Sequence, residues 1–394
     1  MTLHAIETLF DPTLRAGLFD LRRDLHRHPE LAFQEVRTAA RLEAALGAAG
    51  ADDVRRVAGT GLVARVPGRH ADGPVVALRG DIDALPIHEE TGVAFASATA
   101  GVMHACGHDV HATWTIGAAH LLARQPAVGE VRILLQPAEE LGRGALALLE
   151  AGALDGVRAI VGGHVDMRIA LGQVIAEPGP IAGSTDEFVI EVVGRGGHAA
   201  RPHEARDPIV AAAGIVIGLQ TIVARRLAPG EPAVVTVATF QAGTAENVIP
   251  ERARLTGTLR AVRPDTRLAL QAELRRTAEA IAAAHDVEAR VDLRAGTPPI
   301  INSGETIGWA RTAVTMLLGQ DAFRTLPTPN LGGEDFAFYL ERLPGCFIRI
   351  GAHEPGTERT MAHTPRFLPD ERAILIGAAV LAETARRAAA ELSS

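Results

Sequence analysis

With 394 residues and 47% hydrophobic content, the chain is too long for one comfortable core and is expected to fold as two domains. Its formal net charge of −8 comes from well-mixed residues with no basic stripe, which excludes nucleic acid as the main partner. The N-terminus lacks a charged region followed by an apolar core and no apolar run reads as spanning length. The two cysteines, Cys106 and Cys346, make no disulfide framework, so a cytoplasmic protein with no membrane partner is expected.

In chain order, helical periodicity covers about 11–28 and 36–49. Short branched runs, Val75 to Leu78, Val131 to Leu135 and Ala159 to Val161, predict strands separated by helices near 111–124 and 143–151. This alternation predicts an α/β sheet covered by helices on both faces. Polar residues follow each strand: Asp81 and Asp83, then Glu139 and Glu140, then His164, which is read as a strand-end histidine. Open α/β sheets bind ligands beyond the carboxyl ends of their strands, so these groups are expected in one crevice.

The Gly/Pro-rich stretch Glu177 to Gly183 predicts a linker, and the rhythm then changes. Strands at Phe188 to Val193 and Val234 to Phe240, a helix over 207–226, two further alternating runs and a helix over 265–284 give the order βαββαβ of a ferredoxin-like domain. The expected division is 1–182 and 297–394 for a catalytic domain with a mixed sheet, and 183–296 for the insert. Cys346, in an apolar run, is read as core.

Met103 to Asp109 packs a thiol, two imidazoles and a carboxylate into a few positions before a helix. Cys106, His108, Glu140, His164 and His363 are five ligand-type residues, more than one ion needs, which points to two ions sharing a ligand. Such a pair activates water and polarises a carbonyl while a nearby carboxylate takes the proton, so adjacent Glu139 and Glu140 can divide that labour. Asp83 is placed to hold the tautomer of a ligand histidine. Taken singly, each has a plain structural alternative: a solvated Glu-Glu helix start, a satisfied histidine at a strand end or in a loop.

Leu25 to Glu30, Asp81 to Pro86, Met103 to Asp109, Gln136 to Glu140, Gly196 to Ala200, Asn247 to Pro250, Gly333 to Phe336 and His363 to Pro365 together resemble the di-metal aminoacylase and carboxypeptidase family. The likeness is in particular to the amidohydrolase branch, which includes hippurate hydrolase, N-acyl-amino-acid amidohydrolases and indole-acetyl-amino-acid hydrolases. The resemblance implies Glu139 as general base and Cys106, His108, Glu140, His164 and His363 as metal ligands, with Cys106 in the bridging place. It implies that the insert is a lid and dimerisation domain, whose His198 reaches the scissile carbonyl, often across the dimer. Asn247 and Arg260 become candidates for gripping a substrate carboxylate. The implied reaction is hydrolysis of a small N-acyl or N-aroyl amino acid by a homodimer or a higher oligomer. Its cofactor would be two divalent ions, Mn²⁺ or Zn²⁺ first and Co²⁺ or Ni²⁺ next. A dipeptidase or aminopeptidase-like enzyme and a non-catalytic metal-binding relative are the alternatives. Two departures from the family pattern are a missing proline after His164 and Gly80 in place of alanine.

Overall fold

The computed structural model describes residues 3–326, 328 and 330–393. The chain divides into two compact units, one made of Met1–Gly179, Ile301–Pro327 and Asp335–Ser394, the other of Pro180–Ile300 and Thr328–Glu334.

The first unit is built on a seven-stranded mixed sheet. Its strands lie in the order Asp52–Val57, Gly61–Val66, Val131–Gln136, Val75–Asp81, Val157–Ala170, Gly345–His353 and Val174–Ile175. The four from Val131–Gln136 to Gly345–His353 are parallel, and the outer pairings are antiparallel. Parallel strands are buried on both faces, which is why Val75–Asp81 and Gly345–His353 read as nearly continuous apolar runs. Cys346 is fully buried there, as a core thiol. Helices Pro12–Arg27, His108–Arg124 and Arg372–Glu391 contribute buried apolar faces to this core.

The strand expected at 159–161 continues to Ala170, so His164 lies within it rather than at its end. Its neighbour Gly345–His353 extends the ladder, pairing Arg349 with His164 and Ile350 with Val165. Proline would remove a ladder donor, so its absence after His164 fits this continued pairing. Gly80 has an equally local reason: a Cβ there would come within 2.7 Å of the His111 carbonyl oxygen on the helix His108–Arg124.

In the second unit, Ser184–Val193, Ala233–Ala242, Arg252–Ala261 and Glu288–Ala295 form an antiparallel sheet in the spatial order second, third, first, fourth. Helices Pro208–Thr221 and Pro264–Ala284 complete the βαββαβ sequence. The alternating burial of Ser184–Val193 and Arg252–Ala261 marks one covered face. Contrary to the expectation of no spanning run, Pro208–Arg226 is long and apolar enough to cross a membrane by length and composition. Within the unit it buries Ala211, Ala212, Ile215 and Leu219 in the core, while Val210 and Ile217 stay exposed.

Candidate active site

The entry to the helix His108–Arg124 sets the first part of the site. Gly107, immediately before it, has φ 101°, and a Cβ there would meet Val165 Cγ2 at 2.5 Å. Only glycine turns the chain this way, and the turn brings Cys106 and His108 to one cluster. Cys106, His108 and His164 offer ligand atoms within 4.8 Å of one another, as do Cys106, Glu140 and His363. Cys106 is therefore common to two triplets.

The histidine tautomers can be read from their bonds. His108 Nδ1 donates to Asp83, with both the backbone oxygen and Oδ1 at 3.0 Å, which leaves Nε2 as the lone-pair nitrogen. His164 Nδ1 donates to the Val165 carbonyl at 2.7 Å, so its Nε2 faces Cys106 Sγ at 3.3 Å. His363 sits at φ 63° with its N–H on the Ala105 carbonyl, and its Nε2 lies 3.3 Å from Glu140 Oε1.

Asp83 also accepts the N–H groups of Glu139, at 3.1 Å, and Glu140, at 3.0 Å. One carboxylate thus orients a histidine and both glutamates. Glu139 Oε2 and Glu140 Oε1 lie 3.8 and 3.9 Å from His108 Nε2, too far to bond it. His108 Nε2 and Glu140 Oε1, both buried, have no hydrogen-bond partner among the described residues. Buried polar atoms are rarely left so, and a lone pair facing a carboxylate oxygen and a sulfur is the donor set a divalent cation takes. The residues therefore fit a metal centre.

Electrostatics set what a cation bound there would have to overcome. Burial, reinforced by Glu140, pushes the Cys106 thiol up to about 12, so a bound cation would have to displace its proton. Burial holds His164 well below the usual imidazole value and keeps it a neutral ligand. Burial opposes charge on His108, yet Asp81, Asp83 and Cys106 together hold its pKa well above the ordinary value, so a bound cation would have to displace a proton from Nε2 as well.

The remaining anticipated residues lie in the second unit. His198 is exposed, and its Nδ1 accepts the Ala200 N–H at 3.1 Å, which puts the proton of the neutral ring on Nε2. Asn247 is exposed and gives its carbonyl to the Ala199 N–H; Arg260 is half-buried on Arg252–Ala261. Beside Cys106, His104 is buried with neither ring nitrogen bonded, and burial lowers its pKa to about 3. Asp109 faces away from the cluster, hydrogen-bonded to His26 and ion-paired with Arg22 at 2.8 Å each.

Sequence reasoning gave no role to His111. It stands one helical turn beyond His108, a spacing that shares a face and could have flagged it. Its Nδ1 donates to Asp81 at 2.7 Å and its Nε2 accepts the Val165 N–H at 3.0 Å, bracing the strand just after His164.

Comparison with known proteins identifies the family. The sequence profile of peptidase family M20/M25/M40 matches residues 77–387. An N-acetylcysteine deacetylase of Bacillus subtilis is 42% identical over 379 residues, 95% of this chain and 97% of that protein. The IAA-amino acid hydrolase ILR1-like 5 of Arabidopsis thaliana is 38% identical, over 96% of this chain and 89% of its own. Among solved structures, the YXEP protein of Bacillus subtilis, described as a dinuclear metal binding peptidase, superposes with a TM-score of 0.86 at 39% identity. That match covers 97% of this chain and 99% of the other. The chain belongs to peptidase family M20/M25/M40, a family of amide-bond hydrolases.

Proposed function

We propose that this protein hydrolyses the amide bond of an N-acyl or N-aroyl amino acid, releasing a carboxylic acid and a free amino acid, with Glu139 as general base. The observation that carries this reading is the cluster in which Cys106 belongs to two ligand triplets while His108 Nε2 and Glu140 Oε1, the latter beside the His363 ring, lack hydrogen-bond partners among the described residues. Cys106, His108, Glu140, His164 and His363 would hold two divalent ions, Mn²⁺ or Zn²⁺ first and Co²⁺ or Ni²⁺ next, with Cys106 shared. Bound there, the ions would supply Lewis acidity, making water a better nucleophile and drawing electron density from the scissile carbonyl.

The chain's own residues do the rest. Glu139 takes a proton from the attacking water and returns it to the departing amine nitrogen, so the acyl carbon gains an oxygen as the C–N bond breaks. Asp83 keeps His108 in the Nδ1–H tautomer and holds the backbone of both glutamates. His198, with its proton on Nε2, is suited to donate to the carbonyl oxygen as negative charge builds, a bond that strengthens only in the transition state. Asn247 and Arg260 would bind the substrate carboxylate, the guanidinium in a two-pronged grip.

The relatives named as an N-acetylcysteine deacetylase and an IAA-amino acid hydrolase support an acylated amine over a free one. The βαββαβ insert would act as a lid and pair two copies. The exposed Val210 and Ile217 of its helix and Phe240 on the edge strand Ala233–Ala242 are apolar surface that a second copy would cover. Both cysteines are free thiols, which suits the cytoplasm.

The test is a substrate panel of N-acetyl, N-benzoyl and indole-acyl amino acids, beside Gly-Leu and N-acetyl-Leu, given to protein reconstituted with each metal. Turnover of acylated amino acids that a chelator abolishes is expected. A strict need for a free α-amine would instead make the protein a dipeptidase, and inertness on the whole panel would remove the catalytic reading.

A further inference from the structure

Glu35 stands at the N-terminal boundary of the helix Val36–Ala48, where an acidic side chain ordinarily bonds the helix's own free N–H groups. It does not do so. Glu30 takes that task, accepting the N–H of Arg37 at 3.1 Å and of Thr38 at 2.8 Å. Glu35 is fully buried and turns the other way. Its Oε1 accepts the N–H of Ala138 at 3.0 Å and its Oε2 accepts the Thr60 hydroxyl at 2.5 Å. Neither partner carries charge, and burial pushes the Glu35 carboxyl up. A buried carboxylate bonded only by neutral groups is costly in a position that merely fills space.

Ala138 explains the arrangement. It has φ 51°, the left-handed region that a residue with a Cβ enters at a cost, and it is completely buried. The next two N–H groups, of Glu139 and Glu140, are held by Asp83. Three successive backbone donors are thus gripped by two carboxylates from distant parts of the chain. The segment then folds back, with the Ala138 carbonyl accepting the Gly144 N–H and the Glu139 carbonyl accepting the Gly142 N–H.

We infer that Glu35 is a positioning residue: it holds Ala138 in the left-handed turn that sets the directions of Glu139 and Glu140. This rests on the assignment of those glutamates as base and metal ligand. Asp83 holds the N–H groups of Glu139 and Glu140, Glu35 holds that of Ala138, and strain at a non-glycine residue persists only where its surroundings over-determine it. Glycine at 138 would enter the same conformation without that cost and would need Glu35 less.

The experiment compares E35L, E35Q and the double variant E35L/A138G, each reconstituted with metal and assayed for ion content. Kinetics on an acyl amino acid that the wild type turns over are paired with backbone hydrogen exchange over residues 136–141. In E35L, exchange in that segment should quicken while distant segments keep their protection. Its kcat should fall roughly ten- to a hundredfold, as loss of a hydrogen bond to a charged group implies, with KM little changed. E35Q keeps an acceptor for the Ala138 N–H and should retain most activity, and A138G should recover part of what E35L loses. A purely structural Glu35 predicts otherwise: protection falling everywhere, kcat per folded molecule unchanged, and no recovery from A138G. Should E35L fail to fold, E35S, which admits water to the vacated place, is read in the same way. A wild type that hydrolyses no acyl amino acid would overturn the proposed function, and the exchange data would then decide the role of Glu35 alone. Turnover by the wild type with an equal kcat and unchanged exchange in E35L would overturn the positioning role and leave the function standing.

Discussion

Two neighbouring clusters, each containing histidine and carboxylate side chains, differ in how far their hydrogen bonds are completed. Around Arg79 every partner is supplied: its guanidinium reaches Gln136 Oε1 at 2.8 Å, Asp335 Oδ1 at 2.9 Å and the Asp81 carboxylate. Gln136 and the Ala145 N–H donate to Asp335, Tyr339 donates to Gln136, and His111 donates to Asp81. Arg79, Asp81 and Asp335 are almost wholly buried. Next to this network, around Cys106, His108 Nε2 and Glu140 Oε1 are left open. Asp81, His108 and His111 also lie close enough to hold an ion, yet Asp81 and His111 already spend their donors and acceptors on each other and on fixed neighbours. Residue type and proximity alone do not mark a metal site; lone pairs left without partners do. The completed network instead ties together the strand ends at Asp81 and Gln136 and the Asp335 segment.

The sharpest way to test that contrast is to alter the open cluster and look for loss of function without loss of fold. E139Q should keep both ions and its melting temperature while kcat falls roughly a hundred- to ten-thousandfold, the usual range for a general base. Ion content should separate the ligands. C106A, which touches both triplets, should lose both ions by elemental analysis, whereas H363A, which touches one, should keep one. Two ions retained in C106A would end its bridging role.

The Arg79 network should respond in the opposite way. R79L leaves the carboxylates of Asp81 and Asp335 buried without their cation, a change that typically costs about 3–5 kcal/mol. That is a large part of ordinary domain stability, so the denaturant midpoint should fall steeply. The fall should be the same with and without chelator, because the donors and acceptors of the network are already spent on one another. A chelator-dependent difference would mean that the two clusters are one site.

Much of this was legible in the sequence, because the relevant residues sit in short segments with their own local logic. Gly107 before His108, the adjacent Glu139 and Glu140, and Asp83 after a branched apolar run each announce a turn or strand end. Other parts were hidden for physical reasons. The strand through His164 extends because a neighbour nearly two hundred residues away pairs with it, which no local pattern records. His111 and Glu35 look like an ordinary helical histidine and an ordinary helix-start glutamate. What sets them apart is a partner brought in by tertiary folding: Val165 for one, Ala138 for the other.

The smallest expected effect concerns a third polar group, around His26, where Asp109 turns away from the open cluster. His26 lies between Asp109 and Glu89, bonding them at 2.8 and 3.1 Å, and Glu89 also accepts the Ser97 N–H at 2.6 Å. Burial alone would raise the Glu89 carboxyl, but the bonds from His26, Thr91 and Ser97 bring it down from 4.5 to about 2. A carboxyl depressed by folding adds stability that is present above about pH 4.5 and is lost as the pH falls toward 2. His26 has the opposite sign. Burial works against its charge, yet Asp109 and Glu89 raise it above 6.5, so its contribution is complete below that value and is lost as the pH rises through the raised pKa. Both contributions are therefore complete between about pH 4.5 and 6.5. E89Q should be less stable than wild type in that window, and the gap should close on acidification as Glu89 becomes protonated, measured as urea midpoints across the range. A gap that stays constant from pH 6 to about pH 2 would show that Glu89 contributes through packing and not through its charge.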